Sequence, residues 1–144
     1  MQLSAEARDF LDRHPVGHLA SAGADGAPHV VPVCFARVGE RIWFVADDTP
    51  KRRGPRALRR LANIAANPRV ALVVDDYDDD WARLAYLLLH CDAGPVADPA
   101  EYASALDALR ARYPAYRRMP LALATHPMIR LQPRRWHLWR AAAG

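Results

Sequence analysis

Apolar and polar positions along the chain repeat with two periods, and the switches between them divide it into short segments. After Ser4, whose hydroxyl can cap a helix, A-E-A-R-D-F-L sets Glu6 in the first turn and Phe10 and Leu11 on one side. This predicts a helix that Pro15 ends. V-G-H-L-A-S, residues 16–21, predicts a short strand, and A-G-A-D-G a turn. Residues 28–37 and 41–46 read as one hairpin joined at Val38-Gly39-Glu40. Pro32 implies an edge or a bulge, because proline has no N–H for a ladder.

A loop from Asp47 to Pro55 leads to a second predicted helix, from about Arg56 to Ala66, which Asn67-Pro68 stops. Leu58, Leu61, Ile64 and Ala65 mark its buried side, and Arg56, Arg59, Arg60 and Asn63 its other side. R-V-A-L-V-V-D is a near-continuous apolar strand, and a further strand covers Arg83 to Cys91 and continues brokenly toward Val96. Asp98-Pro99-Ala100-Glu101 has the form of a capping box that opens a helix to Arg112. Residues 127–132 and 135–139 read as closing strands on either side of Pro133. Six or seven strands with three dispersed helices do not alternate as in a doubly wound parallel sheet. The pattern predicts an α+β fold, mainly β: an antiparallel barrel decorated by helices.

Composition adds bounds. At 144 residues the chain reads as one domain, 1–144, able to bury a core without a disulfide or structural metal. Hydrophobic residues at 51% and charged residues at 25% fit a soluble globular protein. No apolar run reaches membrane-spanning length, and the N-terminus shows no secretory h-region. Cys34 and Cys91 form no C-x-x-C pattern, which suits a reducing cytoplasm, and both read as small apolar residues packed in strands.

The cations carry the sharpest signal. Of 20 basic side chains only Lys51 is lysine; the rest are arginine. Lys51, Arg52, Arg53, Arg56, Arg59 and Arg60 precede and overlap the predicted helix start, where unsatisfied amides favour an anion. A compact ammonium on a flexible stem suits a phosphate there. Aromatic residues are not interleaved with the cluster, so nucleic acid is a poor match. The acidic run from Asp75 to Asp80 lacks the glycine and distal glutamate of a calcium loop and reads as a solvated turn. Pro15 and Gly17 keep His14 and His18 from forming a helical zinc pair. No nucleophile elbow, Walker motif or paired carboxylate appears. Trp81 and Trp136 are candidates to line a flat aromatic ligand.

Four segments together, G-A-P-H-V-V-P-V-C-F, I-W-F-V-A-D-D-T-P-K-R, L-A-N-I-A-A-N-P-R-V-A-L-V-V-D and the terminal R-R-W-H-L-W, carry a family resemblance. The sequence resembles the pyridoxamine-phosphate-oxidase-like, split β-barrel flavin and deazaflavin superfamily, over roughly residues 5 to 140. Within it the chain looks most like the branch of coenzyme F420-dependent oxidoreductases. The resemblance implies an FMN-binding type of split barrel and a homodimer with two cofactor sites at the subunit interface. It implies ring contacts along His29, Val30, Val31, Pro32 and Val33, and places Ala46 and Asp47 beside the ring or its ribityl chain. Lys51 and Arg52 match the phosphate cations, with Arg56 and Arg59 on the helix behind them, and Trp136 falls where such proteins reach the partner's cofactor. R-R-G-P departs from the family by interrupting the run from the lysine into the helix. The implied activity is hydride transfer to a small organic acceptor. The cofactor carries the hydride, so the lack of a catalytic triad is expected. FMN in place of coenzyme F420 is the alternative, and a non-catalytic flavin or haem carrier, with His29, His90 or His137 as ligand, is the third reading.

Overall fold

The computed structural model of the protein describes residues 2–47 and 58–142. The elements run α1 (Ala5–Arg13), β1 (Gly17–Ala22), β2 (Pro28–Val33), β3 (Ala36–Val38), β4 (Arg41–Val45), α2 (Arg59–Ala66), β5 (Arg69–Asp76), β6 (Ala85–Pro95), α3 (Pro99–Arg112) and β7 (Met128–Arg140). Single 3-10 turns occupy Trp81–Arg83 and Pro114–Arg118. The seven strands form one sheet in the order β2-β1-β5-β6-β7-β4-β3, with every pairing antiparallel. This is the α+β, split-barrel architecture that the sequence predicts.

One predicted hairpin is divided. Residues 28–37 do not run as a single strand against 41–46: β2 pairs with β1, and only Ala36–Val38 pairs with β4. Cys34 and Phe35 lie between β2 and β3, which are the two edges of the sheet. Two residues span about 10 Å at most, so the edges must come together and the sheet must curl. Cys34 is therefore in the crossing and not packed in a strand. Pro32 sits in an edge strand, where a missing N–H is tolerated.

Phe35 is fully buried, and its backbone is held from two sides. Its N–H donates to Tyr113 Oη at 3.0 Å, and Arg112 Nη1 donates to its carbonyl at 2.9 Å. Arg112 Nη2 reaches the carbonyls of Leu11, Asp12 and His14, so one guanidinium also gathers the orphan acceptors at the end of α1. The guanidinium lies 4.6 Å from the centroid of the Phe35 ring.

The barrel interior is a cluster that includes Leu19, Phe35, Ile42, Phe44, Leu72, Leu87, Leu89 and Leu131. Phe10 and Leu11 of α1, which packs on β3 and β6, and Ile64 of α2, which packs on β1, β2 and β6, join it. A second cluster lies on the other side of β4, where Trp43 and Val45 pack under Tyr102, Leu106 and Leu109 of α3. The caps form as predicted at Ser4 and Asp98, whose side chains accept from Ala7 N and Ala100 N. The turn between β3 and β4 needs Gly39, whose φ is +61°.

Local pattern misleads elsewhere. The two closing strands are one, with Pro133 accommodated at a bulge where His90 faces Arg135 and Cys91 faces Pro133. On α2, Asn63 is buried and not exposed, donating to Ser21 Oγ at 3.2 Å, while Ala65 is exposed. Asn63 Oδ1 lies 3.0 Å from where a Cβ on Gly23 would sit, so that glycine admits the close approach of helix and strand. Glu101 does not complete a capping box. It accepts from Arg130 at 2.6 and 2.7 Å and from Trp43 Nε1 at 2.9 Å, joining α3 to β7 and β4.

These bonds, Arg130 foremost, hold the Glu101 carboxyl at about 2, below its ordinary value, despite an opposing burial effect. A carboxyl depressed in the folded state stabilises the fold above its unfolded value near 4.5 and loses that effect as pH falls toward 2. Glu101→Gln is expected to cost about 1.5–3 kcal/mol at neutral pH and to flatten the acid limb of stability. Chemical denaturation of both proteins between pH 7 and pH 3 measures this; parallel pH profiles would contradict it.

Candidate functional site

Where the edge crossing meets the end of β4, the fold leaves a cavity of about 210 Å³. Pro32, Val33 and Cys34 form one wall, Phe44 to Asp47 the second, and Leu58, Arg60 and Tyr116 close it. Ala46 is fixed there by its N–H bond to Pro127 O at 2.9 Å. The crossing brings the first wall, the β4–β7 ladder the second, and the 3-10 turn after α3 delivers Tyr116.

Its polar groups are few and coupled. Tyr116 donates to Asp47 Oδ2 at 2.8 Å. Burial, and then the bond to Asp47, push the Tyr116 phenol far above its ordinary value, so it remains a neutral donor. Burial also raises the Cys34 thiol, a shift opposed by the Tyr116 hydroxyl and reinforced by the Asp47 charge. A protonated thiol is a weak nucleophile. Burial lowers the Arg60 guanidinium against the pull of Asp47, yet a guanidinium keeps its proton. Arg60 Nε is buried and has no hydrogen-bond partner among the described residues.

The sequence-derived site residues fall in three places. Pro32, Val33, Ala46 and Asp47 meet in the cavity. His29, Val30 and Val31 continue along β2, the sheet edge, where alternate backbone groups have no strand to pair with. His29 Nδ1 is buried without a hydrogen-bond partner among the described residues, and Val30 is 61% exposed. Arg59 is exposed at the start of α2. Trp136 lies in β7, packed on the barrel core with Nε1 donating to Gln2 O, and does not line this cavity. Trp81 is 69% exposed in the turn before β6. Lys51, Arg52 and Arg56 lie outside the described residues.

Sequence pattern singles out neither Cys34 nor Tyr116 for the site, and it offers Arg60 only as a member of the basic cluster. Helical periodicity sends Arg60 outward, and no local signal ties Tyr116 to Asp47. The one available hint for Arg60 was its place in the basic cluster.

Residues 3–140 match the pyridoxamine 5'-phosphate oxidase family. The chain belongs to that family. Its relatives include a 5a,11a-dehydrotetracycline/5a,11a-dehydrooxytetracycline reductase of Streptomyces rimosus, 40% identical over 67 residues. That region is 46% of this chain and 44% of the reductase, so the match spans less than half of either protein. A solved F420 reductase is 28% identical with a TM-score of 0.65, covering 94% of this chain and 98% of its own. The conserved hypothetical protein Rv2991 of Mycobacterium tuberculosis shares the fold at a TM-score of 0.78 and 22% identity, over 98% of this chain and 86% of that one. A FAD-binding protein of Mesorhizobium loti shares the fold at a TM-score of 0.66 and 23% identity, over 93% of this chain and 92% of that one.

The residues present fit such a group. An apolar wall of Pro32, Val33, Val45 and Ala46 suits a ring face, and Arg60 Nε supplies a donor that no described residue satisfies. A buried unsatisfied donor costs about 1–3 kcal/mol. Arg60→Met is therefore expected to leave the ligand-free protein as stable as before or slightly more so, while flavin affinity falls about tenfold or more. Melting curves and binding isotherms separate the two effects; loss of stability with affinity intact would contradict the assignment.

Proposed function

We propose that the protein is an oxidoreductase that uses the deazaflavin coenzyme F420 to deliver hydride to a small organic acceptor, acting as a homodimer. The observation that carries this reading is the apolar cavity with a buried guanidinium N–H that has no partner among the described residues. Full-length similarity to an F420 reductase favours the deazaflavin over FMN.

When bound, the cofactor supplies the hydride. The protein then has to bind, orient and exclude water. Val33, Val45 and Ala46 form a wall for a ring, with Pro32 and the free edge of β2 beside it. Tyr116 fixes one oxygen of Asp47 and leaves the carboxylate aimed by a neutral donor, while Arg60 holds an acceptor atom of the ligand. Lys51 and Arg52, by resemblance, take the phosphate, and Arg56 and Arg59 add charge for a longer anionic tail.

A single chain offers only about 210 Å³ here, less than the roughly 300 Å³ at which ligand sites usually begin. A second copy that completes the site accounts for the shortfall. The outer face of the sheet supports this, because Val30, Ala20 and Ala71 share one register row there and Val73 and Leu88 the next, and none of them joins either core cluster of the described residues. Leu88→Glu is expected to shift a micromolar dimer to monomer in sedimentation velocity and to abolish cofactor binding with it. A wild-type monomer in the presence of cofactor would overturn the dimer.

Absorption and fluorescence titrations with coenzyme F420 and with FMN test the cofactor. Lys51→Ala is expected to weaken the preferred ligand about ten- to a hundredfold, the size of one charge-assisted contact, with the ligand-free melting curve unmoved. Tighter binding of FMN would assign the flavin instead. Binding without turnover of the reduced cofactor would make the protein a carrier, and binding of neither would remove the oxidoreductase reading.

A further inference from the structure

The outer face of the sheet, which the proposed second copy covers, carries opposite charge at its two ends. β5 crosses this face from Arg69 to Asp75 with Ala71 and Val73 between them, and six residues of strand span about 20 Å. At the Arg69 end, His90 of β6 and Arg134 and Arg135 of β7 join the border of an open depression of about 520 Å³. The carboxylate there is engaged, because Asp92 Oδ2 pairs with Arg134 Nε at 2.5 Å. Arg69 and Arg135 are left with no ion pair among the described residues.

At the other end, β5 and β6 close through residues 77–84, where Asp78, Asp79 and Asp80 follow directly on Asp75 and Asp76. Arg83 lies 4.0 Å from Asp78 and 3.8 Å from Asp80, and Arg13 and His14 pair with Asp76. Asp75 and Asp79 have no ion pair among the described residues. This end is also the aromatic one. Tyr77 and Trp81 are exposed in the turn, and Tyr86, opposite Asp75, stacks on Trp139 with ring centroids 5.6 Å apart. The turn holds its own shape, since Asp78 accepts from Asp80 N and Asp80 from Ala82 N.

Two copies packed face to face are related by a two-fold axis that lies in the plane of contact. An axis along the strands would set acid against acid and base against base. An axis across the strands, between the Ala71 and Val73 rows, exchanges the ends. From this we infer that the two copies dock about an axis of the second kind. The acidic, aromatic turn of each then sits over the Arg69–Arg135 depression of the other, with Ala71, Val73 and Leu88 buried at the centre. Partly exposed ion pairs hold little by themselves; Trp81 and Tyr77, placed over guanidinium groups, add the aromatic area and cation–π attraction on which interfaces depend. The docking rests on the homodimer proposed above and names the surfaces that form it.

The test is sedimentation velocity of the full-length protein beside two charge-reversed variants, Arg69→Glu/Arg135→Glu and Asp75→Arg/Asp79→Arg. Each variant alone sets like charges together at both contacts, and its dimer dissociation constant is expected to rise at least about tenfold. Mixed in equal amounts, the two should regain the dimer. In the mixed pair the reversed turn meets the reversed depression, and the native turn meets the native one. Trp81→Ala should also weaken dimerisation. The wild-type dissociation constant should rise between about 0.05 and 0.5 M sodium chloride, a measurement that needs no substitution. A mixture no more dimeric than its components, or a wild-type dimer indifferent to salt, would overturn this docking and leave the homodimer standing. A wild-type monomer would overturn the homodimer, and this docking with it.

Discussion

Everything in this molecule depends on the short passage from one sheet edge to the other at Cys34-Phe35. Seven strands could lie flat if their edges were free. Tying β2 to β3 through two residues forces curvature, and curvature creates both the enclosed core and the open seam beside it. The passage itself leaves the ladders, so its backbone groups need other partners. Tyr113 and Arg112 provide them from the end of α3. The same arginine collects the end of α1, and in this way two helices and the barrel closure share one guanidinium.

The seam is where chemistry can be placed without disrupting the core. Phe44 points into the barrel while Val45 packs under α3, so the end of β4 is rigid on both faces just before Ala46 and Asp47. Rigid walls with a few constrained polar groups are what orient a ring and its heteroatoms. The two thiols show how position alone sets character. Cys91, inside the barrel, is pushed up to about 12 by burial and by Asp92 next to it, and serves as a small apolar residue. Cys34 in the crossing shares its surroundings with Tyr116 and Asp47, and its proton becomes part of a coupled group.

What was legible in the sequence is what local chemistry decides. Ser4 and Asp98 cap helices because a short side chain reaches the adjacent amides whatever the tertiary structure. Pro32 marks an edge because a missing N–H is a property of the residue itself. The split of 28–37 was not legible: Cys34 and Phe35 look like strand residues, and only the identity of distant partners reveals that the pairing changes. Asn63 and Arg60 were assigned to the wrong face because periodicity treats polarity as exposure, whereas here an amide bridges to Ser21 and an arginine stem lines a cavity. Glu101 was read as a local cap, but the stronger attraction of Arg130 took it elsewhere. At the site, Pro32, Val33, Ala46 and Asp47 line one cavity in the folded chain. Tyr116 joins them through a contact that spans 69 positions, beyond the reach of any window along the sequence.

The position of β7 has a bearing on how the protein is made. It is the last of the described strands along the chain, yet it lies between β6 and β4 and among the described strands alone links the β2-β1-β5-β6 group to the β4-β3 ribbon by a ladder. A ribosome releases the chain from its beginning, so six strands emerge before their keystone. Throughout that interval β6 and β4 each present an unpaired apolar edge, the condition under which nascent chains recruit chaperones or one another. Closure is then a single late event, and a ribosome stalled before Met128 leaves two half-sheets joined by the Cys34-Phe35 passage but by no ladder.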